Sequence, residues 1–396
     1  MTTVQHGPGE AAHRLEDGRT SSPAGRGEVL RGAGRAQQYR ERPPDDPGQD
    51  RPDPDHGGGD PGPLDRAPAG ARPAFLPEVL TPPAPATWGR KARLRRLSGG
   101  LVKPAPSAAE LAHRAAVTAI RQATWTRAVN AVVVGAKGGT GRTMATVILA
   151  GVLAEIRGGF VAAVEATEAA GTLNARTEGN PARGLGELLA RGAEISTAGQ
   201  LGGYTAPQTS HADVIATVAD RGELHGADVL AVRRVLDTHY RITITDTGVN
   251  PHHEAHRAAV ASADAAVVPC LVSLDALTAL EATLATLGPL AGSPPRVVAV
   301  LGHDGGPEDP QVVAAVRDRL DHLALTGVLT AAVEVPFDPA IRRGGPITLD
   351  ALTVASRRAW TQAAAALIGA LNTAPTDTAP DLDLLTTGPA SIRSTP

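Results

Sequence analysis

Short apolar, β-rich runs at residues 131–135, 160–165, 213–217, 241–245, 265–270, 296–301 and 331–335 alternate with stretches of helical periodicity such as 227–236 and 274–287. Strands separated by ten or more residues of helical pattern leave room for crossover connections, and such connections join parallel strands. The alternation therefore predicts an α/β fold: a doubly wound, mostly parallel sheet of about seven strands flanked by helices. Ligands of such sheets sit at the carboxyl ends of the strands, so the residues that follow each run are the ones to inspect.

The first run leads into VVVGAKGGTGRTMAT. A Gly-rich turn between an apolar strand and an Ala/Val/Leu helix presents backbone N–H groups and the positive end of a helix to an anion, as a phosphate-binding loop requires. Lys137, Gly138, Gly139 and Thr140 would wrap the phosphates, with Gly141, Arg142, Thr143 and Met144 completing the turn. The Thr143 hydroxyl is placed to bind Mg²⁺. Downstream, HYRITITDTG puts Asp246 at the end of an apolar strand, where a carboxylate can hold a metal-bound water. The ligand these residues imply is a nucleoside triphosphate with Mg²⁺.

Composition limits the folded part. The chain has 396 residues, and residues 1–87 are rich in Pro, Gly, Arg and Asp with hardly an apolar cluster. Such a segment buries too little surface to offset its ordering entropy and is expected as a disordered tail. Residues 88–107 are expected as a basic hinge, 108–371 as the nucleotide-binding domain with an opening helix near 108–122, and 372–396 as a second disordered tail. No acidic residue occurs between Glu78 and Glu110, whereas Arg90, Lys91, Arg93, Arg95, Arg96 and Lys103 cluster there beside Trp88, Leu94, Leu97 and Leu101. That run suits lipid headgroups, nucleic acid or an acidic partner. The net charge of −3 provides no global field towards any of them. After Asn372 the acidic Asp377, Asp381 and Asp383, repeated Pro and the single cation Arg393 provide no basic amphipathic face. Cys270 is the sole cysteine, which rules out an internal disulfide. The first residues have no apolar signal core, and no run approaches the about 18 apolar residues that span a bilayer, so a cytoplasmic location is expected.

The KGGTGRT loop resembles that of the deviant-Walker-A ATPases, the MinD and ParA group of P-loop NTPases, whose loop reads KGGxGK[ST]. FVAAVEATEAAGTL looks like that family's second strand and switch segment, TDTG like its Walker B strand, and VPFDP like the late Pro-x-Asp segment beside the base, which brings in Pro336 and Asp338. RRLSGGLVKPAPSAAE looks more specifically like the MinD-like ATPases associated with type VII secretion. The resemblance implies ATP as cofactor, slow hydrolysis, and an ATP-dependent homodimer in which Lys137, one of only three lysines, reaches the partner's phosphates. It assigns catalytic roles to Lys137, Arg142, Glu165 and Asp246, and the metal to Thr143 and Asp246.

The chain departs from the family pattern in three places. Arg142 stands where the second loop lysine is usual, keeping the charge but replacing a compact ammonium by a planar fork. Glu165 and Thr167 stand for an Asp and an Asn, and a displacement near 1 Å in a water-positioning group costs about a hundredfold in rate. Gly302 and His303 occupy the segment where relatives often place a base-reading Asn. The first two bear on hydrolysis more than on binding, so a non-hydrolysing ATP-binding scaffold is the alternative. GAKGGTG also fits the cofactor turn of short-chain dehydrogenases, but those need a Tyr and a Lys four residues apart, and no lysine follows Lys137. His252 and His256 could share a helix face as metal ligands, although no further ligands accompany them. Trp88, Trp125 and Trp360 are expected to anchor packing.

Overall fold

The computed structural model describes residues 84–291 and 296–373. The expectations for residues 1–83 and 374–396 lie outside that range. Eight strands form one sheet in the order β3-β4-β2-β5-β1-β6-β7-β8: β1 (Val129–Val133), β2 (Val161–Ala166), β3 (Ala206–Pro207), β4 (Asp213–Ile215), β5 (Ile242–Thr247), β6 (Ala265–Leu271), β7 (Val297–Gly302) and β8 (Ala331–Val335). All neighbours are parallel except β3 and β4. The seven expected runs all became strands. The added one, β3, is two residues long and ends in Pro207, too short to give an alternating pattern.

Helices cover both faces. They are α1 (Gly89–Leu97), α2 (Ala108–Gln122), α3 (Arg142–Arg157), α4 (Leu185–Arg191), α5 (Ala198–Gly202), α6 (Gly226–His239), α7 (Glu254–Ala261), α8 (Leu274–Ala291), α9 (Pro310–Leu325), α10 (Pro339–Arg342) and α11 (Val354–Asn372). Every residue of β1 and β5 is buried, as expected of central parallel strands with helices on each side. The helix that follows the glycine loop, α3, is buried from Ala145 to Ala154 because it lies between the sheet and the α2–α11 layer. Its run of apolar residues all round the helix is the sequence counterpart of that position. Trp360 of α11 is buried in the same core, and the Arg157 guanidinium lies 5.3 Å from the Trp125 ring centroid.

Residues 88–107 carry α1 and are tied to the domain. Trp88 lies between the His113 ring, 5.1 Å away, and the Arg358 guanidinium, 3.5 Å from its ring centroid. Ala86 N–H donates to the Pro104 carbonyl at 2.9 Å, and Thr87 donates through N–H and hydroxyl to Glu110 Oε1, each at 2.7 Å. Among the described residues no helix is long and apolar enough to cross a membrane.

Candidate nucleotide-binding site

The sheet places the two sequence motifs side by side. β1 pairs with β5 in a register that sets Val133 opposite Asp246, and β5 pairs with β2 so that Asp246 faces Glu165. The chain then crosses from β5 past β1 to β6, which puts the end of β1 at the point where ligands of doubly wound sheets bind.

The loop from Ala136 to Gly139 is exposed and leads into α3 at Arg142. Gly141 is the N-cap residue, with φ of 92°, a left-handed conformation that strains any residue with a Cβ. No side chain caps the helix, so its first N–H groups point outward to where a phosphate would sit. The loop is held from behind by the Thr283 hydroxyl on α8, which accepts from Ala136 N–H at 3.0 Å. Lys137 leaves the loop into solvent, its ammonium 3.9 Å from the exposed Asp275 carboxylate.

Thr143, in the first turn of α3, donates its hydroxyl to Asp246 Oδ2 at 2.7 Å. The other oxygen, Oδ1, is buried with no hydrogen-bond partner among the described residues. Such an orphan acceptor beside a hydroxyl suits a hard cation that takes one or two protein oxygens and fills its shell with phosphate and water. The pair therefore fits Mg²⁺. Burial pushes the Asp246 carboxyl up to about 6; the Thr143 hydrogen bond and the Arg142 charge oppose the shift, and the charge of Glu165 adds to it.

A cation held there would compete with a proton for that oxygen, and the competition would set a pH dependence. Mg²⁺-dependent ATP affinity is expected to fall by up to about tenfold per pH unit below about 6. Calorimetry at about pH 7.5 and about pH 5, with Mg²⁺ and with a chelator, separates this effect from titration of the phosphates. An equal pH response in both series contradicts it. The contribution of the Asp246 carboxyl to the stability of the unliganded protein runs the other way. Because the folded carboxyl lies above its ordinary value of 3.8, the native state holds a proton that the unfolded chain has released, and the contribution of this group to stability rises as pH falls from about 6 towards 3.8.

The Arg142 side chain turns down towards β5, donating Nη1–H to the Thr247 carbonyl at 3.0 Å. Burial lowers its pKa, with the charges of Asp246 and Glu168 opposing. Glu165 is engaged as well. Its Oε1 accepts from the Thr217 hydroxyl at 2.5 Å, Gly171 N–H at 3.0 Å and Arg221 Nη2 at 3.2 Å, while Oε2 is buried without a partner among the described residues. Gly171 allows the approach, since a Cβ there would lie 2.7 Å from Oε2.

Arg221, in the segment after β4, also donates to the carbonyls of Thr167 at 2.8 Å, Ala169 at 3.1 Å and Glu168 at 3.2 Å, and to the Thr217 hydroxyl at 2.8 Å. One buried guanidinium thus fastens the whole segment that follows β2. Sequence reading missed Arg221, Thr217 and Thr283, which belong to no motif. It also passed over Glu168, whose carboxylate closes over the end of β5 so tightly that a Cβ on Gly248 would lie 2.2 Å from it.

On the other side of the loop, Gly139, Thr140, Gly141 and Met144 share a cavity of about 360 Å³ with His303, Pro336, Phe337, Asp338 and Arg342. The volume suits a nucleoside. Asp338 is the N-cap of α10; its two oxygens accept from Ala340 N–H at 2.9 Å and Thr353 N–H at 2.8 Å, so it fixes the cavity wall. His303 bridges Glu308 at 2.8 Å and Glu334 at 2.7 Å. Burial disfavours its charged form, but those two hydrogen bonds outweigh it and raise the pKa. The remaining histidines disperse: His253 Nε2 pairs with Glu223 at 2.7 Å, buried His256 faces the Gly248 carbonyl at 3.2 Å, and His252 is exposed. Among the described residues no group of three or more His, Cys, Asp or Glu is arranged to hold a metal.

No family model matches the chain. Among curated proteins, the ESX-1 secretion-associated protein EspI of Mycobacterium tuberculosis is 27% identical over 241 residues, 59% of this chain and 35% of that protein, so the match spans about a third of the relative's length. Among solved structures, the chain is similar to the cell division ATPase MinD of Pyrococcus furiosus, with 18% identity, a TM-score of 0.45, and coverage of 60% of this chain and 98% of that one. It is also similar to a ParA family ATPase of Chlorobium tepidum, with 14% identity, a TM-score of 0.44, and coverage of 66% and 98%. The chain is thus similar to ParA and MinD ATPases, and its own sheet sets a glycine loop at a helix start beside the Thr143–Asp246 pair at a strand end.

Proposed function

We propose that the chain binds Mg²⁺–ATP in the KGGTGRT loop and acts as a slowly hydrolysing switch in which ATP pairs two copies. The observation that carries this reading is the Thr143–Asp246 pair beneath an open glycine loop at an uncapped helix start. Mg²⁺ held by Thr143 and Asp246 would neutralise charge on the phosphate oxygens. The α3 N–H groups orient the phosphates, and Arg142 adds positive charge from the β5 side. Lys137 is free of the loop and is directed outward, as a residue serving a second copy's nucleotide requires. The relative named for secretion suggests a secretion-associated setting over partitioning.

A second reading, an ATP-binding adaptor that does not turn over, is favoured by the contacts of two side chains. Arg142 is committed to the Thr247 carbonyl, and Glu165 is committed to Arg221, Thr217 and Gly171. Single-turnover hydrolysis distinguishes the two. Arg142→Lys is expected to raise the rate more than about tenfold while ATP affinity changes by less, because a contact strengthened in the transition state affects turnover before binding. A rate that stays at background in wild type and variant, with ATP bound in both, overturns the ATPase in favour of the adaptor.

A further inference from the structure

The surface formed by α1 and the turn after it combines clustered cations with exposed leucines. Arg90, Lys91, Arg93, Arg96 and Lys103 are exposed and Arg95 partly so, with no carboxylate in the segment to pair them. Among these cations stand Leu94 at 50% exposure, Leu97 at 86% and Leu101 at 90%, with Val102 at 44%. Single exposed leucines are ordinary, but three within eight residues, interspersed with cations, are not.

The turn is ordered by its own hydrogen bonds. Ser98 N–H donates to the Leu94 carbonyl at 3.0 Å, Leu101 N–H to the Ser98 carbonyl at 3.1 Å, and Val102 N–H to the Ser98 hydroxyl at 3.1 Å. The base of the helix is anchored through Trp88, and Lys91 Nζ donates to the Ala105 carbonyl at 2.9 Å, so the patch is fixed to the domain.

We propose that this surface binds an anionic phospholipid membrane, with Leu97 and Leu101 entering the headgroup–acyl boundary and the surrounding Arg and Lys side chains meeting lipid phosphates. Charge complementarity selects an anionic partner, and the leucines decide among such partners. A nucleic acid backbone supplies phosphates for the arginines but no apolar phase for side chains that are almost wholly in water, whereas a lipid interface supplies both. The patch is a docking tip and not an amphipathic helix: α1 has no continuous apolar stripe, and its apolar residues gather at its end and in the turn.

The test is co-sedimentation of the full chain with phosphatidylcholine vesicles and with vesicles that also contain phosphatidylglycerol. Binding is expected on the second only, to weaken as salt is raised, and to fall by at least about tenfold both in a Leu97→Ser, Leu101→Ser double variant and in an Arg93→Ser, Arg96→Ser double variant. All four side chains are exposed, so thermal midpoints should stay at the wild-type value. Failure of the full chain to bind anionic vesicles overturns the proposal. So does leucine-variant binding equal to wild type, or tight binding of a DNA duplex that depends on the arginines and not on the leucines, which would assign the surface to nucleic acid.

Discussion

Mg²⁺–ATP affinity is expected to fall by at least about tenfold in Gly141→Val and in Thr143→Ala, which corresponds to about 1.4 kcal/mol or more in each case. The two substitutions act on different features. At Gly141 the backbone has φ of 92°, which a β-branched residue adopts only at a cost of about 1–3 kcal/mol. An added Cβ would also lie 2.8 Å from the terminal methyl of Met144, a flexible contact that can yield, so the strain and not the clash decides the outcome. The loop would relax by rotating N–H groups away from the phosphate position. Thr143→Ala leaves the backbone intact and removes the hydroxyl that meets Asp246 at 2.7 Å, which would take one of the two proposed metal ligands and the donor that steadies the other. Calorimetric titration with ATP, with and without Mg²⁺, reports both. Thr143→Ala should lose chiefly the Mg²⁺-dependent part and Gly141→Val both parts, whereas unchanged affinity in the two variants would place the nucleotide elsewhere.

Arg221→Ala should have the largest effect on stability, because it leaves a buried carboxylate unpaired. The Arg221 side chain is 5% exposed and that of Glu165 fully buried. Breaking such a pair from one side costs about 3–5 kcal/mol. For a domain of this size that is a fall of about 10 °C in thermal midpoint. The loss extends beyond the pair, since the same guanidinium holds the carbonyls of Thr167, Glu168 and Ala169. Arg221→Lys should recover part of it at most, because one ammonium cannot reproduce the directions of the fork. Thermal unfolding of the variants checks this, and a midpoint within about 2 °C of wild type for Arg221→Ala would mean that the segment is held by other contacts.

These two predictions mark how far the sequence is legible. The loop, Thr143 and Asp246 follow from local order: a strand, a glycine turn and a helix are contiguous, and Asp246 stands at the end of a run that reads as a strand. The sheet itself was legible for the same reason, except for β3, whose two residues have no period. Arg221 was not legible, because it sits 56 residues from Glu165 and earns its role by a contact that only the β2–β4 pairing creates. The Glu165 side chain illustrates the limit further: a carboxylate one methylene longer than Asp looks in sequence like an adjusted catalytic group, and the fold shows the extra reach spent on Thr217 and Arg221. In the segment 88–107, α1 lacked an apolar stripe, so its helix was invisible to periodicity, although the charge and leucine content that give the surface its character were plain in the sequence.

The central claim, that ATP joins two copies through Lys137, is tested most directly by sedimentation velocity at micromolar protein with a slowly hydrolysed ATP analogue and Mg²⁺. Wild type should move from monomer to dimer on adding nucleotide. Lys137→Ala should bind the analogue and remain monomeric, because the side chain is exposed at the loop and its ion pair among the described residues is a long one, 3.9 Å to the exposed Asp275. A wild-type chain that binds the analogue and stays monomeric, or a Lys137→Ala chain that dimerises as readily as wild type, would contradict the switch.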